Sequence, residues 1–260
     1  MRRPALARLA RPLTLCYHAA SDTWPHRLSL PQATIERQIA GFIRRGFTPV
    51  PTADVVRGRG RLLHVTFDDA FASTADTITS LAARGVASTM FVCTGHADRV
   101  GAPLAVGELA EELQNHPKEL MTLAWAELTE LSSDVDVEIG SHTVSHARLW
   151  ELADDELEKE LRESKSSIED HLGRTCRYLA YPFGRADDRV IRAARLAGYE
   201  AAFLLLNGRW TERHGLPRID LYPPDRGVRL RLKTEPTVSL PIAALLRRKR
   251  LLSTSARDEI

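Results

Sequence analysis

Short, nearly uninterrupted apolar runs alternate with segments of helical periodicity along most of this 260-residue chain. The runs "LTLCYH" (13–18), 62–67, "VASTMFV" (86–92), "VDVEIGSH" (135–142), "CRYLAYP" (176–182) and "YEAAFLL" (199–205) read as strands. Helices are predicted over 32–45, 52–57, 71–84, 125–132, 154–172 and 187–198. Ile35, Ile39, Phe42 and Ile43 form one apolar stripe, closed by Gly46; Leu157, Leu161, Ile168 and Leu172 form another, and Asp187 is placed to cap the helix after it. Strands apolar along their length are covered on both faces, which in a strand–helix alternation means a parallel sheet or barrel. No Gly-x-Gly-x-x-Gly or phosphate-binding loop occurs, which disfavours a nucleotide-binding doubly wound sheet.

Composition permits a self-sufficient core, with 43% hydrophobic and 27% charged residues. The formal net charge of +2 is too near neutral to indicate a nucleic-acid partner. Cys16, Cys93 and Cys176 are scattered and odd in number, as expected of buried thiols in a reducing compartment. Pro4, Arg8, Arg11 and Pro12 break up the basic N-terminus, so no secretory signal and no membrane span is read, and a cytoplasmic location is the default. At the other end, "VSLPIAALLRRKRLLSTSARDEI" (238–260) reads as a helix with a solvated basic end. The alternative is peripheral contact with an anionic membrane surface.

Chemistry-bearing residues gather where strands end, the functional face of α/β barrels. The strand 62–67 ends in Asp68-Asp69, the strand at 135–140 in "SHTVSH", the strand at 176–181 in "YPFG", and the first strand in His18. One aspartate before "AFASTADTI" is explained by helix capping, but two adjacent carboxylates repel and call for a cation. His142 and His146, four apart, would share one side of a helical turn and suit one metal ion. Two histidines and one carboxylate with open positions make a catalytic metal site; the second aspartate is then free to act as a base.

"TFDDA", "SHTVSH" and "AYPFG", in this order and spacing, resemble the signature segments of the polysaccharide deacetylase family, carbohydrate esterase family 4, over roughly residues 13–220. The resemblance implies an α/β fold: a distorted or incomplete (β/α) barrel in a single domain, here 13–235, between an N-terminal extension (1–12) and a basic tail (236–260). It implies hydrolysis of N-acetyl groups on amino sugars with a divalent metal, Zn²⁺ first, with Co²⁺ or Ni²⁺ as alternatives. By similarity, Asp68 is the base and Asp69, His142 and His146 are metal ligands. Tyr181, Pro182 and Phe183, with Arg218, are the candidates for holding oxyanion and substrate.

Three departures from the family pattern stand out. Ala70 replaces a usual Gly. Ala180 replaces an Arg that pairs with the base, for which Arg218 and then Arg185 are the candidate substitutes. The C-terminal Leu-x-His segment that supplies the general acid is missing; "YH" at the N-terminus resembles a permuted subgroup, which makes His18 the proton donor, with His214 or no dedicated acid as alternatives. Segments 94–124 and 207–222 are expected to shape the groove, with Trp210 and Tyr222 as ring-stacking candidates. The partner is a carbohydrate. The competing functions are hydrolysis of another non-peptide amide on the same site, or carbohydrate binding by a decayed enzyme.

Overall fold

The computed structural model describes residues 12–98, 102–205 and 213–234. Strands β1 (Leu13–Tyr17), β2 (Thr48–Pro49), β3 (Leu62–Phe67), β4 (Ser88–Val92), β5 (Val137–Ser141), β6 (Tyr178–Ala180), β7 (Ala201–Leu205) and β8 (Leu216–Asp220) are all parallel. Seven of them close a barrel in the order β1-β3-β4-β5-β6-β7-β8, and β8 returns to β1. β2 pairs only with the start of β3. The closure is uneven: β1 and β3 pair over five residues, whereas β5 and β6 share one pair, Ser141 with Leu179.

The helices are α1 (Gln32–Arg44), α2 (Thr52–Arg57), α3 (Ala75–Ala82), α4 (Thr94–Ala97), α5 (Leu109–Glu112), α6 (Trp125–Asp134), α7 (Asp154–Leu172) and α8 (Asp188–Leu196). The predicted stripes are largely the buried faces: Ile35, Ile39 and Phe42 in α1, and Leu157, Leu161 and Ile168 in α7. Ile43 instead lies exposed and Leu172 half-buried. Asp187 caps α8, its carboxylate accepting from the Val190 N–H at 2.8 Å. β8 is absent from the sequence reading, because "LPRID" contains a proline and turns Arg218 and Asp220, with only Leu216 apolar, to the buried side.

Phe91 of β4 touches Phe203 of β7, with ring centroids 5.8 Å apart, although these strands are not neighbours. Both rings therefore lie inside the barrel. A Cβ at position 140 of β5 would lie 2.6 Å from the Phe91 ring, so only glycine leaves room for it. The chain divides into two compact units, Met1–Tyr222 and Pro223–Ile260, and the barrel is within the first. In the second, the described residues hold α9 (Gly227–Thr234), where Arg229 and Lys233 donate to Asp225. Residues 1–11, Trp210 and the tail 236–260 lie outside the described residues. Among the described residues no helix is long and apolar enough to cross a membrane.

A buried polar knot ties α2, β3 and β4 together. His64 donates from Nδ1 to the Val50 carbonyl (2.8 Å), and its Nε2 meets the hydroxyls of Thr52 (3.0 Å) and Thr89 (2.9 Å). Burial lowers the His64 pKa from 6.5 to about 4. The unfolded chain therefore takes up this proton first as pH falls, and stability is lost from about pH 6.5 down to about pH 4, by up to roughly 3 kcal/mol. His64→Gln should cost about 1–3 kcal/mol at pH 7 in denaturant unfolding, and its deficit against the wild type should narrow towards pH 4. A constant deficit would show that His64 does not titrate this way.

Candidate active site

The C-terminal ends of the strands converge on a cavity of about 230 Å³ whose lining includes His18, Asp68, Asp69, His142, His146, Phe183 and Asp220. Asp68 and Asp69 leave β3 together, but the chain kinks between them and their side chains diverge in role. Asp69 and Ala70 both adopt left-handed backbone, at φ 70° and 53°. That conformation costs a non-glycine residue about 1–2 kcal/mol. It is held in place because the Ala70 carbonyl accepts from the Leu123 N–H and the Ala72 N–H donates to the Met121 carbonyl. The segment 121–123 thus supports the turn at the position where a glycine was expected.

Asp68 faces Arg218. The guanidinium donates through Nη1 to Oδ1 (2.6 Å) and through Nη2 to Oδ2 (2.7 Å), a bidentate pair, and Nη1 also reaches the Thr66 hydroxyl (3.0 Å). Arg218 is 0% exposed and lies 5.2 Å from the Phe91 ring centre. The Cys16 thiol donates to Asp68 Oδ2 at 3.4 Å. Burial alone would raise the Asp68 pKa; the Arg218 charge, aided by His142, outweighs it and holds this carboxyl well below the usual range. Arg218 therefore pairs with Asp68 and does not line the cavity as a substrate or oxyanion contact. Arg185, the other candidate cation, is exposed and lies over Trp150.

Asp69 is in the opposite situation. Burial, and then the neighbouring Asp68 charge, raise its pKa well above the ordinary carboxyl value. Its Oδ1 is buried without a hydrogen-bond partner and sits 3.6 Å from His142 Nε2 and 3.5 Å from His146 Nε2. Ligand atoms held about 2.0–2.1 Å from one tetrahedral ion lie roughly 3.4 Å apart. The His142 Nδ1–H donates to the Ala180 carbonyl at 2.7 Å, which leaves the Nε2 lone pair facing Asp69. Burial lowers the pKa of both histidines, that of His146 to about 3, so both are neutral, the ligating form. Two neutral imidazoles and an orphaned, buried carboxylate oxygen fit a divalent metal. A second trio, Cys16, His18 and Asp68, is also compact, but both Asp68 oxygens are taken by Arg218.

The two histidines are not brought together by a helical turn, as their spacing suggested. Residues 142–146 form an irregular loop in which Thr143 (φ 71°) and His146 (φ 59°) are left-handed. Glu160 of α7, which the sequence reading missed, anchors this loop. Its carboxylate accepts from the Val144 N–H (2.8 Å), the Ser145 N–H (3.0 Å) and the Ser145 hydroxyl (2.6 Å).

After β6, Tyr181 turns away from the cavity and its hydroxyl donates to the His214 carbonyl at 3.0 Å; Pro182 is buried and also off the lining. Phe183 reaches the site, its ring 4.6 Å from that of His146. Gly184 is required beside it, because at φ 62° a Cβ would lie 2.1 Å from Leu205. His18 lies at the end of β1 in the cavity wall. Burial lowers its pKa, while the charges of Asp68 and Asp220 pull the other way. Asp220, at the end of β8, is a second residue the sequence reading missed; its Oδ2 accepts from the Tyr222 hydroxyl at 2.7 Å. His214 is not part of the site: it is buried and its Nε2–H donates to the Tyr199 carbonyl.

This is a (β/α) barrel with its polar site at the C-terminal end of the strands, of the polysaccharide deacetylase type. Residues 56–202 match the family model "Polysaccharide deacetylase", and the chain belongs to that family. Membership places it among the carbohydrate-deacetylase hydrolases. Among solved structures it is similar to the Streptococcus pyogenes deacetylase PplD in complex with acetate, with TM-score 0.70, 19% identity and coverage of 87% of this chain and 99% of the other. It is similar to a polysaccharide deacetylase from Bacillus cereus, BC0361 (TM-score 0.68, 20% identity, coverage 86% and 69%). It also resembles the de-N-acetylase from Aggregatibacter actinomycetemcomitans (TM-score 0.69, 18% identity, coverage 85% and 98%). At these identities the structural likeness speaks to the fold. No curated protein sequence gives a significant match.

Removing one member of a buried ion pair strands the other. Arg218→Met should cost about 3–5 kcal/mol in denaturant unfolding, and Arg218→Met with Asp68→Asn should recover part of that loss. Simple additivity of the two substitutions would show that the pair is not coupled.

Proposed function

We propose that the protein removes an N-acetyl group from an amino sugar, with a divalent metal held by Asp69, His142 and His146. The observation that carries this reading is Asp69 Oδ1, buried, without a hydrogen-bond partner and equidistant from two imidazole nitrogens. A Zn²⁺ ion, or Co²⁺ or Ni²⁺ in its place, would acidify water and polarise the acetyl carbonyl when bound.

The chain's own groups supply the remainder. Asp68, kept ionised and fixed in orientation by Arg218, accepts a proton from the attacking water. The backbone beside Phe183 is the candidate for stabilising the oxyanion as it develops, since its ring already packs on His146. His18 delivers a proton to the departing nitrogen, and the charges of Asp68 and then Asp220 act in part against the burial that lowers its pKa.

Acetate release from N-acetylated sugars of different sizes, measured after metal loading, tests the reading; no acetate from any of them would overturn it. Asp69→Ala, His142→Ala and His146→Ala should each lose bound metal by elemental analysis. Asp68→Asn should retain metal and lose turnover; loss of metal in that variant would reverse the roles of the two aspartates. His18→Ala should slow turnover by about 10²–10⁴ with metal content unchanged. A rate within a few-fold of wild type would remove His18 as the acid.

A further inference from the structure

A run of rings and guanidinium groups extends outward from the metal-type trio, and beyond Phe183 it has no part in the chemistry above. Phe183 meets His146 edge-on at 4.6 Å and Trp150 edge-on at 5.9 Å. Arg148 lies over Phe183 at 5.7 Å, and Arg185 over Trp150 at 4.6 Å.

Packing does not account for this ledge. Phe183 is 47% exposed and is held in left-handed backbone at φ 59°. Strain kept in order to present a large apolar ring to solvent is a mark of a working surface. Trp150 is braced from behind: Arg189 of α8 donates to the carbonyls of Leu149, Trp150 and Leu152 and to the Asp154 carboxylate. The arginines have charge to spare. Arg185 makes no ion pair among the described residues, and Arg148 has only a loose, exposed contact with Glu151 at 3.6 Å.

Aromatic rings take up the C–H faces of sugar rings, and a guanidinium offers a planar pair of N–H donors to a carboxylate or phosphate. We propose that this ledge binds the part of the substrate that continues beyond the reacting sugar and selects an anionic group there, a phosphate or a carboxylate. The inference rests on the deacetylase reading for which sugar lies over the metal-type trio. It adds Arg148, Trp150 and Arg185 as specificity residues.

The experiment is calorimetric titration of the full chain with three ligands: N-acetylglucosamine 1-phosphate, a disaccharide of N-acetylglucosamine and glucuronic acid, and neutral di-N-acetylchitobiose. Wild type and the Arg148→Ala/Arg185→Ala double variant are compared. At least one anionic ligand should bind wild type about tenfold or more tighter than the neutral one, a difference of about 1.4 kcal/mol. The advantage should shrink with added salt and fall to within about twofold in the double variant, while the neutral ligand binds both proteins alike. Whichever anionic arm carries the advantage identifies phosphate or uronate as its source. Equal binding of all three ligands to wild type, or a preference that survives in the double variant, would overturn the proposal. Acetate release assayed alongside separates the two readings. Anionic preference without acetate release would leave the ledge standing and remove the deacetylase, and acetate release without preference would do the reverse.

Discussion

The buried pair between Arg218 and Asp68 is the interaction around which the site is arranged. Both groups are withdrawn from water inside the barrel, which is costly unless every donor and acceptor is matched. Most of them are: two parallel N–H···O contacts, the Thr66 hydroxyl on one side and the Cys16 thiol on the other, with the Arg218 Nε–H alone left without a partner. That arrangement settles one of the two adjacent carboxylates and leaves the other without compensation. Asp69, Asp68 and Asp220 face one fixed cation, Arg218, and burial keeps the nearby histidines neutral. The local charge is therefore short of positive charge on the Asp69 side, where two imidazole nitrogens already point.

The barrel positions these groups at a cost in backbone strain. Among the described residues, every non-glycine with positive φ lies in a loop of this site: Asp69, Ala70, Thr143, His146 and Phe183. Each strained loop has a brace from elsewhere in the chain. Residues 121–123 hold the turn at Ala70, Glu160 holds the loop between the two histidines, and Leu205 packs against Gly184 behind Phe183. The helices and insertions around the barrel therefore do more than cover it, because they fix loops whose preferred conformations lie elsewhere.

The ledge of Phe183, Trp150, Arg148 and Arg185 continues the same construction outward. Arg189 plays for Trp150 the part that Glu160 plays for the histidine loop, binding successive backbone groups of a short turn from a neighbouring helix. A surface organised this far outward is what the proposed reading of a group attached to the sugar would require.

Several levels of this organisation were legible in the amino-acid order. Apolar runs separated by helical stripes indicated a parallel sheet or barrel, because strands covered on both faces leave that imprint whatever their partners, and the resemblance of three motifs narrowed this to the barrel. Polar residues at strand ends pointed to the candidate site, because in such barrels strand ends converge on one face. The strand β8 was not legible, since its buried side carries Arg218 and Asp220 and its interior a proline, a pattern indistinguishable from a loop until the barrel closes around it. Glu160 was hidden for a related reason: its meaning lies in two backbone N–H groups 15 and 16 residues away. The sequence by itself determined the fold class and singled out the candidate acids and imidazoles, through periodicity and local motif. Only the tertiary structure decided that Arg218, and not Arg185, neutralises Asp68 and that Asp69 is left facing the histidines. That choice depends on β8 being brought beside β1, and contacts between residues 150 positions apart leave no local trace.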